Sequence, residues 1–68
     1  MSMSLKAARI NAGLTQEEVH KKTGFATSTI VSWESNRTFP KTQQFIQLCN
    51  LYGCTMSDIF VPETLSKN

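Results

Sequence analysis

QEEVHKKTGFATSTIVSW, residues 16–33, is the stretch that decides the fold of this chain. Its first seven residues suit a short helix, which Gly24 then interrupts. The segment from Thr27 to Trp33 suits a second short helix, and the three-residue spacing of Ile30 and Trp33 places both on one face. We therefore expect two helices joined by a tight turn, held at a fixed angle by the rest of the chain.

Strong helix signals lie at the start of this stretch and before it. The sequence TQEE at residues 15–18 is a capping-box pattern, in which a threonine hydroxyl and a glutamate three residues later each accept a backbone N–H. Residues 4–12 predict a first helix with Ser4 as its N-cap. Gly13 follows, where a left-handed conformation ends a helix at little cost.

Helical patterns continue after residue 33. Asn36 is expected to take a left-handed conformation at the end of helix three. A fourth helix is expected from about Thr42 to Tyr52, ended by Gly53. Thr55 should cap a last short helix over residues 56–60, and residues 61–68 are expected to form a frayed tail. The prediction is an all-α, compact five-helix bundle forming a single domain over residues 1–68.

Length and composition exclude several classes of protein. A chain of 68 residues buries only about 60% of its unfolded surface, which leaves little room for an enzyme with its own substrate cleft. No apolar run approaches the roughly 20 residues of a membrane span, and no secretory signal precedes Leu5, so we expect a cytoplasmic protein without a membrane partner. The net charge of +2 is a weak indication of an anionic partner.

The chain offers few metal ligands. Two cysteines, Cys49 and Cys54, and one histidine, His20, are too few for a four-ligand zinc site within one chain. We expect both cysteines to be reduced thiols in the core, because free cysteine usually behaves as a small hydrophobic residue. No cofactor is expected.

Several motifs together carry a family resemblance. They are LTQEEV at 14–19, KTGF at 22–25, STIVSWE at 28–34, Pro40, and FIQLCNLYGCTMSDIF at 45–60. From Leu5 to about Phe60 the chain resembles the phage-repressor or Cro-type helix-turn-helix domain, also called the xenobiotic-response-element type. The resemblance implies a lambda-repressor-like bundle in which helices two and three, about residues 16–34, form the helix-turn-helix.

The resemblance also implies a function. The expectation is a sequence-specific transcriptional regulator of repressor-like type that binds double-stranded DNA, with the helix from Thr27 to Trp33 in the major groove. A phage or prophage repressor or a small bacterial regulator would fit. The family also implies a salt bridge that ties helix one to the end of helix three, between Arg9 and Glu34.

The family's DNA-facing positions transfer residue by residue. Base edges are expected to meet Thr27, Ser28, Val31 and Ser32, called the reading face below. Among these, Val31 is suited to a thymine methyl group. Backbone phosphates are expected to meet Gln16, Thr29, Ser35, Arg37 and Lys41.

Three features depart from the family pattern. His20 stands where the motif normally has alanine, so either the gap between the helices is wider or the ring swings outward. Ala26 replaces the usual serine or threonine cap of helix three, which forgoes about 1 kcal/mol. The hydroxyls of the reading face cannot make the bidentate base contacts that discriminate most strongly.

Other functions remain open. The low net charge and the weak base-reading residues suit a protein-interaction module, such as an antitoxin or an anti-repressor partner. Surplus apolar residues favour this alternative and also a homodimer, at least on DNA: Leu51, Met56, Phe60, Val61 and Leu65. A triad of Ser28, His20 and Glu34 lacks oxyanion glycines, so we expect no enzyme. No site for a small-molecule effector is evident.

Overall fold

The computed structural model describes residues 2–60 and contains four α-helices in this range. Their bounds are α1 Leu5–Asn11, α2 Gln16–Thr23, α3 Thr27–Glu34 and α4 Thr42–Tyr52. Helices α2 and α3 pack together, α1 contacts both α3 and α4, and this arrangement encloses one core. The all-α expectation is confirmed for this range, and none of the four helices is long and apolar enough to cross a membrane.

The prediction of a fifth helix over residues 56–60 is wrong. One turn of 3-10 helix forms over Met56–Asp58, and the chain is extended from Ile59. The backbone of Met3 competes for this segment, because Met3 accepts a hydrogen bond from the N–H of Phe60 at 2.7 Å and donates one to Asp58 at 2.9 Å. Ile59 is nevertheless buried, as expected. The frayed tail predicted for residues 61–68 lies outside the described residues.

Side-chain caps start the first two helices, as predicted. The Ser4 hydroxyl accepts the N–H of Ala7 at 3.0 Å. At α2, the Thr15 hydroxyl accepts the N–H of Glu18 at 3.1 Å, and the Glu18 carboxylate accepts the N–H of Thr15 at 2.9 Å. These bonds lower the pKa of Glu18 below its ordinary value. Ala26 starts α3 without a side-chain hydrogen bond.

Left-handed residues follow both helices of the motif, α2 and α3. Gly24 has a φ of 83° at the end of α2, in a region that side chains with a Cβ rarely adopt. Asn36 has a φ of 64° in the turn after α3, as the sequence predicted. The chain can therefore reverse direction sharply on both sides of α3.

The core lies between the four helices. Its buried hydrophobic residues are Leu5, Ala8, Val19, Ile30, Trp33, Phe45, Leu48, Cys49, Tyr52 and Ile59. Two aromatic rings close it from the loops: Phe25 packs edge-on against Trp33 with ring centroids 5.2 Å apart, and Phe39 packs against Phe45 at 5.0 Å. Edge-to-face pairs of this kind add about 0.5–1.5 kcal/mol beyond area burial. The side of α3 opposite Ile30 and Trp33 is left for solvent.

Both cysteines are free thiols, and the expected core position holds for Cys49 within α4 but only in part for Cys54 after it. Cys49 is buried, whereas Cys54 is only partly buried. The two are joined through the backbone, because the N–H of Cys54 donates to the Cys49 carbonyl at 3.0 Å. Burial, with the neighbouring Cys54 thiol, raises the pKa of Cys49 to about 11.

Two substitutions test the caps. Because each change affects about one hydrogen bond at a helix N-terminus, Thr15→Ala should lower the free energy of unfolding by about 1 kcal/mol, and Ala26→Ser should raise it by a similar amount. Urea denaturation at neutral pH measures both. Thr42→Ala is the matched control, since Thr42 is an exposed first residue of α4 rather than a cap. A loss for Thr42→Ala equal to that for Thr15→Ala would contradict the assignment.

The thiols should differ in reactivity. With its pKa raised to about 11, Cys49 holds little thiolate near neutral pH, so limited iodoacetamide should alkylate Cys54 first. Peptide mapping by mass spectrometry identifies the labelled site. Alkylation of Cys49 should increase as the pH rises towards 11 and should become similar to that of Cys54 in urea. Equal labelling of both thiols in the folded protein at neutral pH would contradict this prediction.

Candidate nucleic-acid interface

An ion pair joins α1 to the end of α3. Arg9 Nε lies 2.7 Å from Glu34 Oε2, and Nη2 lies 3.2 Å from Oε1, so the contact is bidentate. The side chains are 10% and 6% exposed. The hydrogen bond to Glu34 raises the pKa of Arg9 above its ordinary value. The salt bridge implied by the family resemblance is therefore confirmed, and Arg9 is engaged inside the fold.

The same pair extends to the start of α2. Arg9 Nη1 donates to the Leu14 carbonyl at 2.8 Å, and Gln16 Nε2 donates to Glu34 Oε1 at 3.0 Å. Gln16 is the first residue of α2 and is partly exposed. Its amide is held in place on one side, and its second amide hydrogen remains to meet a ligand. At the start of α2 the capping box takes the N–H of Glu18, which leaves the first two backbone N–H groups for an anion, in a turn that also carries the carboxylates of Glu17 and Glu18.

The reading face lies on the solvent side of α3. Thr27, Ser28 and Val31 are exposed, with Val31 47% exposed. Ser32 is partly buried, and its hydroxyl lies 3.0 Å from that of Thr38 in the following loop. Three side chains are therefore free to meet a partner, and the fourth is already hydrogen-bonded.

The five predicted phosphate residues are spread more widely. Ser35 and Arg37 are exposed just after α3, and the Ser35 hydroxyl donates to the Ser32 carbonyl at 3.2 Å. Lys41 is exposed at the start of α4, where its backbone N–H donates to Gln44 at 2.9 Å. Thr29 is only partly exposed.

Two shallow depressions run along α3. The first, of about 380 Å³, is lined by Ser28, Val31, Ser32, Ser35 and Arg37. The second, of about 240 Å³, is lined by Lys6, Gln16, Val31, Glu34 and Ser35. The structure thus brings six of the predicted residues to one surface, whereas Thr27, Thr29 and Lys41 line neither depression. Lys6 was not predicted as a site residue. The signal that could have found it is its position three residues before Arg9, which places both side chains on the same side of α1.

His20 braces the turn of the motif. Its Nδ1 lies 2.7 Å from the Phe25 carbonyl, and because a carbonyl can only accept, Nδ1 must carry the hydrogen. The ring is partly exposed and is directed at the turn after α2, which fits the outward orientation of the two alternatives. Thr23 adds a second brace, since its hydroxyl donates to the Val19 carbonyl at 2.7 Å and accepts the N–H of Phe25 at 3.1 Å.

Comparison with known proteins agrees with this geometry. The family described as "Helix-turn-helix domain" matches residues 4–60. The chain belongs to this family. The helix-turn-helix membership predicted from the sequence is confirmed, and the match is consistent with the Cro and repressor type. One similar protein, from Methanocaldococcus jannaschii, is named an uncharacterized HTH-type transcriptional regulator. It is 32% identical over 63 residues, which cover 93% of this chain and 96% of that protein. No solved structure is significantly similar to the chain.

The buried pair of this helix-turn-helix domain can be tested by removing one or both charges. Glu34→Leu alone should lower the free energy of unfolding by about 3–5 kcal/mol, because Arg9 is then left as an unpaired charge in a mostly buried site. The double variant Arg9→Met with Glu34→Leu should lose less, since neither charge remains. Circular dichroism during urea titration compares the variants. A double variant that is as unstable as Glu34→Leu would contradict the role of the unpaired charge.

Proposed function

We propose that this chain is a sequence-specific, double-stranded DNA-binding transcriptional regulator of repressor-like type. The observation that carries the proposal is the exposed side of α3, where Ser28 and Val31 share one depression with Arg37. Ser28, Val31 and Arg37 are exposed and take no part in the core of the domain. The name of the relative from Methanocaldococcus jannaschii, an HTH-type transcriptional regulator, supports the same proposal.

The dimensions of α3 suit the major groove. An α-helix with its side chains is about 10–12 Å in diameter, and the major groove of B-DNA is about 12 Å wide, so the exposed helix α3 can lie in it. Thr27 and Ser28 would offer hydroxyls that both donate and accept, so each would tolerate more than one base. Val31 would contact a thymine methyl group, and Ser32 would contribute less because its hydroxyl is shared with Thr38. We therefore propose a reading face of modest selectivity.

Phosphate contacts would position this face. Gln16 would bind one phosphate together with the N–H groups at the start of α2. Arg37 would bind another from the far side of α3, while Thr29, Ser35 and Lys41 would contribute weaker contacts. With a net charge of only +2, affinity would depend on where these few groups lie.

We further propose that the protein binds DNA as a homodimer. Two apolar side chains near the end of the described chain, Met56 and Phe60, are 43% and 55% exposed. Because about half of each side chain is already buried, burying the remainder between two copies would be favourable by roughly 1 kcal/mol each. A two-fold pair would place two copies of α3 about 34 Å apart, one turn of DNA.

A second candidate function is a protein-interaction module that uses the same fold. The observation that favours it is further exposed apolar surface on two helices, at Ile10 on α1 and Ile46 on α4. Ile10 and Ile46 belong to helices other than α3, which carries the reading face. They would suit a protein partner such as a toxin or an anti-repressor target. Stable capture of a partner that covers Ile10 and Ile46, with DNA competing poorly, would favour this candidate.

Selection from random DNA duplexes at low salt, read by sequencing, tests the leading proposal. We expect one enriched sequence motif, with two half-sites if the protein binds as a dimer. Ser28→Ala should relax preference at one position and weaken binding by roughly three- to tenfold, the value of one neutral hydrogen bond. Arg37→Gln should instead weaken binding to all sequences and reduce the salt slope by about 1.

The controls separate base reading from charge. Lys21 is exposed on α2, about 140° around the helix axis from Gln16, so Lys21→Gln removes one charge away from the proposed interface. This variant should bind like the natural sequence. Failure to enrich any sequence over competitor DNA at low salt would contradict the leading proposal.

A further inference from the structure

Lys6 on α1 stands next to the proposed DNA interface. It lines the second depression together with Gln16 at the start of α2 and with Val31 and Ser35 of the α3 region. Val31 and Ser35 also line the first depression, so the two are continuous across α3. One exposed cation therefore lines each depression, Lys6 the second and Arg37 the first.

The charges around Lys6 leave it available for an anion. Glu34 also lines the second depression, but both of its carboxylate oxygens are occupied, by Arg9 and by Gln16. Among residues 2–60 the structure holds a single salt bridge, Arg9–Glu34, so Lys6 has no carboxylate partner within this range. Because the Lys6 side chain is exposed, it can meet a charged ligand at little cost in desolvation.

The positions of the two cations match the form of a DNA groove. A helix lying in the major groove has a phosphate backbone on either side. On the axis of α3, Val31 and Ser35 form the middle of the exposed strip, with Glu34 towards α1 and Ser32 towards the loop that carries Arg37. Lys6 and Arg37 thus lie beyond opposite edges of the strip that would enter the groove.

We propose that Lys6, with Gln16, forms a second phosphate-binding site, which extends the DNA interface onto α1. Its ligand is a backbone phosphate of the DNA strand on the side of α3 away from Arg37. This inference rests on the proposed function, because it requires the reading face to enter the groove. It adds a contact on α1 that positions the domain and carries no sequence information.

Salt-titrated binding of the selected duplex, with a mixed-sequence duplex alongside it, tests the site. Lys6→Gln should weaken binding of both duplexes by roughly three- to tenfold at low salt and should reduce the salt slope by about 1, without altering the preferred sequence. Lys6→Arg should restore both the affinity and the slope. Lys21→Gln, which removes the same charge elsewhere, should change neither. Glutamine and lysine have similar helix propensity, so the fold should not be affected.

A second measurement locates the phosphate. Neutral methylphosphonates, placed one at a time along the duplex, should reveal one position that weakens binding of the natural sequence but not of Lys6→Gln. That position should differ from the one made silent by Arg37→Gln. A Lys6→Gln variant with unchanged slope, while Arg37→Gln loses its contact, would overturn the α1 site and leave the proposed function standing. Absence of DNA binding by the natural sequence would overturn both.

Discussion

The buried ion pair between Arg9 and Glu34 is the interaction on which the rest of the structure depends. It spans 25 residues of sequence and holds α1 against the last residue of α3. Each partner also reaches the start of α2, Arg9 through the Leu14 carbonyl and Glu34 through Gln16. Two charges so poorly exposed are tolerated only when their hydrogen bonds are nearly all made, which leaves little freedom in how the three helices meet.

This arrangement couples the fold to the proposed DNA surface. The carboxylate that stabilises the bundle also fixes the amide of Gln16, so the orientation of a proposed phosphate ligand is set from inside the protein. On the other edge of α3, the hydroxyl of Ser32 shares a hydrogen bond with that of Thr38, and the hydroxyl of Ser35 donates to the Ser32 carbonyl. The exposed side of α3 is therefore supported at both edges, which suits a surface that must present small polar groups at fixed positions.

Much of the fold could be predicted because its signals are local. The capping box at Thr15, the turn at Gly24 and the burial of Ile30 and Trp33 each depend on residues within a few positions along the chain. The fifth helix could not be excluded in this way, because its competitor is the backbone of Met3, far away in sequence. The same limit applies to the site. The exposure of Ser28 and Val31 followed from helical spacing, whereas the bond of Ser32 to Thr38, the bond of His20 to the Phe25 carbonyl and the place of Lys6 depend on loop conformation and helix angles.

The backbone pairing of Met3 with Ile59 and Phe60 bears on the order in which contacts form during folding. It joins the first residues of the described chain to the last, so this contact closes a loop that includes all four helices. Closing a longer loop of chain costs more entropy, so Arg9 and Glu34, 25 residues apart, meet at a lower entropic cost than Met3 and Phe60 do. The ion pair would therefore hold the helix-turn-helix before Ile59 enters the core, and closure by that residue would be a late step of folding.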